Sequence, residues 1–279
     1  MVSQGIDAGL LAVLGLLIGS FLNVVIYRLP VMLEAQWKAE CADLAGKELL
    51  AADPFNLMVP RSRCQKCSHQ LSWYENIPVL SYLVLRGKCK HCSTPISVRY
   101  PLIELVTGAL FFFCAWRWGL TPTALVWSGF AATLITLCMI DWDTTLLPDN
   151  ITLPFVWAGL IGTAVGFTHV TLVDSLWGAV GGYLSLWLVY WGFKLITGKE
   201  GMGFGDFKLF AALGAWFGWQ ALVPIILMAS VIGAIVGITM KFSSGLREGG
   251  YIPFGPFLAG AGLTAMVFGP QAILSAVGF

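Results

Sequence analysis

Apolar residues run along this chain in long blocks rather than in alternation. A helix that crosses a bilayer needs ~20 apolar residues. Blocks near that length stand at about 8–27, 101–119, 122–140, 151–168, 172–193, 221–240 and 255–275. A shorter block fills 207–219. Thirteen residues rise only about 20 Å as a helix. The block therefore predicts a short span, a re-entrant helix, or a span running on toward Pro224. The pattern as a whole predicts an all-α polytopic membrane protein of about eight transmembrane helices, the sixth short or re-entrant. It divides the chain into a first transmembrane helix (1–28), a polar cytoplasmic domain (29–100) and a membrane domain (101–279).

The polar segments orient the blocks. Ten bases lie in one stretch: Arg28, Lys38, Lys47, Arg61, Arg63, Lys66, Arg86, Lys88, Lys90 and Arg99. Loops rich in Lys and Arg stay in the cytoplasm. Alternating sides from there puts Asp141–Asn150 and Lys194–Asp206 inside and the turns Arg117–Thr121 and His169–Thr171 outside. If 207–219 crosses, Lys241 and Arg247 are inside too, and of the 16 bases only Arg117 is outside. No base precedes the first block, so residues 1–7 lack the basic start of a cleaved signal peptide. This predicts an uncleaved anchor with its N-terminus outside.

Composition narrows the class. The chain is 57% hydrophobic and 11% charged, with a net charge of +1. Its mean hydropathy is +0.79. A soluble enzyme or a disordered chain carries more charge, and a nucleic-acid binder needs a basic surface. The 12 Trp and 32 Gly suit membrane helices and their interfaces.

In the polar domain, 32–50 mixes Leu33, Trp37, Leu44, Leu49 and Leu50 with charges, which suggests a surface helix. Cys64-x2-Cys67 and Cys89-x2-Cys92 follow. Two such knuckles read as a four-thiolate zinc site. Disulfides are disfavoured on a cytoplasmic face, and a thioredoxin-like pair needs only one knuckle. Four Cys ligands leave no open coordination position, so the ion would be structural. His69 and His91 are either spare ligands or solvated neighbours. Between the knuckles, Glu75, Asn76, Tyr82, Arg86 and Gly87 form either a small-molecule pocket or a surface packed on the membrane.

Acidic groups at span edges are functional candidates. Asp141 follows the third block at once, and Asp206 ends Gly201-Met202-Gly203-Phe204-Gly205-Asp206. By the alternation above, both lie on the cytoplasmic side at similar depth. Such a pair suits an aspartyl mechanism, in which two carboxylates share one proton. Asp206 equally fits a helix N-cap. Asp143 and Asp149 are weaker partners. G-x-S-x-G and H-E-x-x-H are absent from the sequence.

Taken together, several motifs resemble the type IV prepilin leader peptidases, membrane aspartyl proteases that are also N-methyltransferases. Gly19 through Pro30 is similar to that family's first-span signature. Glu75-Asn76-Ile77-Pro78, Arg86-Gly87-Lys88-Cys89, Arg99-Tyr100-Pro101 and Glu104 resemble its cytoplasmic domain. Asp141 through Leu147-Pro148-Asp149 resembles its first aspartate motif, and Gly203-Phe204-Gly205-Asp206-Phe207-Lys208-Leu209 its G-x-G-D motif. The resemblance implies a bacterial inner-membrane enzyme that cuts the basic leader of prepilins or type II secretion pseudopilins after a Gly. It then methylates the new N-terminus from S-adenosylmethionine. Asp141 and Asp206 carry over as the catalytic pair, and Cys64, Cys67, Cys89 and Cys92 as zinc ligands. Glu75, Asn76, Tyr82, Arg86 and Gly87 are candidates for the methyl-donor site, and Glu104 for orienting the substrate amine. The rival expectation is a transporter with a zinc-bearing regulatory domain. It would place charges mid-span or break helices in pairs.

Overall fold

A computed structural model of the chain describes residues 2–46, 54–242 and 252–277. Lys47, Leu49, Leu50 and Arg247 lie outside the described residues. Helices dominate: α1 (Val2–Leu44), α2 (Leu80–Val84), α3 (Arg99–Trp118), α4 (Pro122–Thr144), α5 (Asp149–Ala164), α6 (Leu172–Thr197), α7 (Phe204–Phe217), α8 (Leu222–Phe242), α9 (Gly255–Phe268) and α10 (Pro270–Val277). Among the described residues there is no strand, only two isolated antiparallel bridges in the polar domain. Five helices are long and apolar enough to cross a membrane: α1, α3, α4, α6 and α8, the last with its preceding turn. The chain divides into two compact units, Met1–Ala132 and Thr133–Phe279.

In the first unit α1 packs along α3. Glycines set the approach. A Cβ on Gly19 would lie 2.7 Å from Glu104 Cα, and one on Gly15 would lie 2.9 Å from Gly108 Cα. Asn23 Nδ2 donates to the Tyr100 carbonyl at 3.2 Å. The expected boundary near residue 28, with a separate surface helix after it, is not seen; α1 runs through Pro30 to Leu44. Proline removes one N–H and frees one carbonyl four residues earlier, and the helix tolerates that single loss. At 43 residues it is about 65 Å long, twice the ~30 Å hydrocarbon core. Buried Arg28 pins the incoming polar segment, donating to the carbonyls of Asn56 (2.8 Å) and Pro60 (2.6 Å).

In the second unit α7 is the central helix, held by α5, α6 and α9. Residues Asp206, Phe207 and Leu209–Trp216 are all buried. This accounts for its 14 residues: protein rather than lipid surrounds it, so it need not match the bilayer thickness. The approach to α6 is backbone on backbone, since a Cβ on Gly178 would overlap the Gly214 carbonyl and the reverse also holds. Ser175 Oγ donates to the Ala215 carbonyl at 2.5 Å. Toward α5, Trp216 Nε1 donates to the Phe155 carbonyl at 3.1 Å, and Gly159 makes room for the indole. The block expected as one span at 255–275 is instead two helices, because Gly269 takes a left-handed φ of 88° and Pro270 follows. The 207–219 block is a helix beginning at Phe204 and closed by Gly218 at φ 82°.

Candidate functional site

The two knuckles are built as near-copies. In one, Ser68 N–H donates to the Cys64 carbonyl at 2.9 Å and Cys64 N–H to the His69 carbonyl at 2.9 Å. In the other, Ser93 N–H donates to the Cys89 carbonyl at 2.9 Å and Cys89 N–H to the Thr94 carbonyl at 2.8 Å. Ser68 and Ser93 both take left-handed backbone, at φ 56° and 54°. Each turn closes on a bridge, Arg63 with Gln70 and Lys88 with Pro95.

The four Sγ atoms lie within 4.8 Å of one another. Cys64 Sγ is 3.7 Å from Cys92 Sγ, and Cys67 Sγ is 4.0 Å from Cys89 Sγ. A zinc ion with ~2.3 Å bonds to a thiolate tetrahedron requires sulfurs about 3.8 Å apart. The residues therefore fit the ion. Hydrogen bonds with Thr94 lower the Cys92 thiol, whereas burial and the neighbouring cysteines push the Cys67 thiol up.

Glu75 stands beside the knuckles. It is buried at the end of the 3-10 turn Trp73–Asn76, and its Oε2 accepts the Ser72 backbone N–H at 2.8 Å. That bond holds its carboxyl below the usual range against the cost of burial, with Lys90 assisting. His69 Nε2 lies 3.6 Å from Oε2 and Lys90 Nζ 3.9 Å from Oε1. Lys90 also donates to the Tyr74 hydroxyl at 3.1 Å, and the rings of His69 and His91 stack at 5.4 Å. So the two histidines, weighed as spare ligands, face each other, and His69 faces Glu75. Glu75 Oε1 is buried, accepts no hydrogen bond among the described residues and faces the Lys90 ammonium.

The turn carrying Glu75 and Asn76 packs on α2, which carries Tyr82. Arg86 and Gly87 both take left-handed backbone, at φ 52° and 68°. A Cβ on Gly87 would lie 2.8 Å from the Tyr82 hydroxyl oxygen. Tyr82 and Gly87 are thus adjacent, while Arg86 and Asn76 are exposed. Glu104 is buried on α3 and its Oε2 accepts the Val79 N–H at 2.8 Å. It fixes the loop that leads into α2.

The aspartates belong to the second unit. Asp141 is on the last turns of α4 and is 4% exposed; Asp206 is in the first turn of α7 and is 7% exposed. Their charges act on one another. Asp206 Oδ1 is buried without a hydrogen-bond partner among the described residues. The alternative of an N-cap is not what is seen. Gly203 is the cap and Asp206 sits within the first turn. Asp143 is exposed. Asp149 pairs with Lys208 at 2.6 Å. Gly205 and Leu147 of the two aspartate motifs also line this region, together with Gly255, which lay outside the sequence expectations. A Cβ on Gly205 would lie 2.6 Å from Leu147 Cβ, and one on Gly255, the first residue of α9, would lie 2.5 Å from Asp141 Oδ2. Nothing local in the sequence marks Gly255, because its neighbour comes from a distant helix.

Comparisons with known proteins identify the family. Residues 13–118 match the bacterial peptidase A24 N-terminal domain, and residues 128–238 match the type IV leader peptidase family. Proteins named prepilin leader peptidase/N-methyltransferase are similar over most of their length. That of Pseudomonas putida is 51% identical over 266 residues, 95% of this chain and 92% of the relative. That of Pseudomonas aeruginosa is 50% identical over 259 residues, 92% and 89%. That of Burkholderia pseudomallei strain K96243 is 47% identical over 270 residues, 95% and 86%. No solved structure matches the chain. The transporter alternative finds no support among these relatives. With two matching family models and relatives near half identity across almost its whole length, the chain belongs to the type IV leader peptidase family.

Proposed function

We propose that the chain is a membrane aspartic endopeptidase that removes the leader of type IV prepilins or type II secretion pseudopilins and then N-methylates the new N-terminus. The observation that carries the peptidase half is the pair Asp141 and Asp206, both buried, on two helices of one unit, each within the field of the other. Two buried carboxylates whose charges oppose one another do not both stay ionised, so the pair holds one proton. The ionised carboxylate takes a proton from a water between them. The protonated one donates a hydrogen bond to the scissile carbonyl. The water oxygen bonds to the carbonyl carbon, the C–N bond then breaks, and the departing amine gains a proton. No covalent acyl-enzyme forms.

A prepilin carries its basic leader on the cytoplasmic side, followed by an apolar helix in the bilayer. Its cut site lies at the cytoplasmic membrane edge. The charge distribution supports the same placement for both aspartates, in the bacterial inner membrane with the N-terminus periplasmic.

Cys64, Cys67, Cys89 and Cys92 would hold one structural zinc ion, which ties the two knuckles together. S-adenosylmethionine, when bound, supplies an electrophilic methyl group. Glu75, Asn76, Tyr82, Arg86 and Gly87 would hold the donor. Glu104 acts from behind, steadying the loop through Val79.

The test is prepilin cleavage by membranes containing Asp141→Asn or Asp206→Asn. Both variants should lose cleavage by at least about a thousandfold, since no other carboxylate of this unit is buried among the described residues. Full cleavage by either one refutes the dyad.

A further inference from the structure

The glycine at the start of α9 has no conformational reason to be glycine. Gly255 is a helical residue and carries none of the left-handed φ values that favour glycine elsewhere in the chain. It is buried, and its reason is space. A Cβ there would lie 2.5 Å from Asp141 Oδ2, 3.1 Å from Asp141 Cγ and 3.1 Å from Leu147 Cδ1. The helix cannot retreat easily to make room. Leu258 and Ala259 are fully buried, Gly262 meets the Leu213 side chain, and Phe257 seats against Gly233 of α8. What can move is the end of the Asp141 side chain.

We infer that Gly255 is a positioning residue for the peptidase reaction: with no side chain, it lets the first turn of α9 close on Asp141 and fixes where the carboxylate stands. This rests on the reading of Asp141 and Asp206 as the dyad. Any β-carbon at position 255 is accommodated by swinging the Asp141 carboxylate, not by opening the fold. The chain stays folded and the pair loses its registration. A displacement of about 1 Å of a reacting group costs about 100-fold in rate.

The experiment compares Gly255→Ala, Gly262→Ala and Asp141→Asn as purified full-length enzymes, with a prepilin as substrate. Gly262→Ala is the packing control. From the same helix as Gly255, its Cβ would also crowd a side chain, Leu213 of α7, but not Asp141. Gly255→Ala should lower kcat about 100-fold with KM within twofold of the parent. Its thermal unfolding midpoint should be no lower than that of Gly262→Ala, which should keep kcat within threefold. A Gly255→Ala enzyme with kcat within threefold of the parent overturns the inference. So does a Gly255→Ala protein that fails to fold, because the site would then have yielded through the backbone. Equal losses of kcat in Gly255→Ala and Gly262→Ala also overturn it, by making the effect general to α9. Full activity in Asp141→Asn instead refutes the dyad itself, a result separate from all of these.

Discussion

The backbone N–H of Val79 donates to the buried carboxylate of Glu104 at 2.8 Å, and Val79 holds a left-handed φ of 60°. A β-branched residue in that region is strained by about 1–3 kcal/mol. The strain persists because α3 supplies a carboxyl acceptor for the strained N–H. Local backbone conformation and a residue at the membrane end of α3 are therefore a single device.

Glu104→Ala should free that N–H. An ordinary hydrogen bond contributes about 0.5–1.5 kcal/mol, so loss of about 1 kcal/mol should speed amide exchange at Val79 and through α2 roughly fivefold. Glu104→Gln keeps an acceptor oxygen and should lose less. Hydrogen exchange read by mass spectrometry on residues 77–85 checks this. Unchanged exchange in Glu104→Ala would refute the coupling.

The knuckles predict a metal count. Purified protein should hold about one zinc per chain, and Cys64→Ser or Cys92→Ser should each lower it sharply. Segments 61–71 and 86–96 should then lose exchange protection, because without the ion their turns rest on a few local backbone hydrogen bonds and one isolated bridge each. Cys41→Ser should leave the metal content unchanged, since Cys41 is exposed on α1 and outside the cluster. Metal analysis with these three variants separates the four-thiolate site from adventitious binding.

What was legible in the sequence was whatever a short window carries. The C-x2-C knuckles and the glycine-rich approach to Asp206 are local, and their geometry follows from spacing. Span positions were legible because an apolar block is a property of its own residues. Limits of blocks were less so. Pro30 and Arg28 look like the end of a helix, yet α1 continues, because one missing N–H does not stop a long helix. Gly269-Pro270 does stop one, since the left-handed glycine turns the chain before the proline. Contacts made across the fold left no local sign. Glu75 reads as a ligand-binding acid, but its bonds to Ser72 and its ion pairs with Lys90 and His69 also tie it to the knuckles. Gly255 reads as the start of a hydrophobic block, and only the folded chain sets it against Asp141.

The backbone contact of α6 with α7 gives a stability prediction with its own control. Gly178→Ala would drive a methyl into the Gly214 carbonyl, whose helix is buried on all sides and cannot shift cheaply. Overpacking of this kind costs about 1–3 kcal/mol. Gly181→Ala, three residues on, meets only a Leu222 methyl at 3.4 Å, an ordinary contact. The unfolding midpoint of the purified protein should fall clearly in the first variant and barely in the second. Equal midpoints would mean the helices are less tightly registered than the packing requires.

Asp149 is another acid at this end of the unit, and its surroundings assign it a different task from Asp206. It lies in the first turn of α5, half exposed, with Lys208 of α7 donating to its Oδ1 at 2.6 Å. An ion pair this open to water contributes at most about 1 kcal/mol, and its carboxylate is already committed to a cation. It links α5 to α7 at the turn just past Asp206. Asp149→Asn should therefore lower the unfolding midpoint slightly and leave prepilin cleavage within about threefold of the parent at saturating substrate. Lys208→Met should behave the same way, and the double variant should cost no more than either single one, as expected for two groups that act mainly on each other. Cleavage kinetics on the three variants decide the matter. A loss in Asp149→Asn as deep as that in Asp206→Asn would move the catalytic pair to α5 and α7 and leave Asp141 without its role.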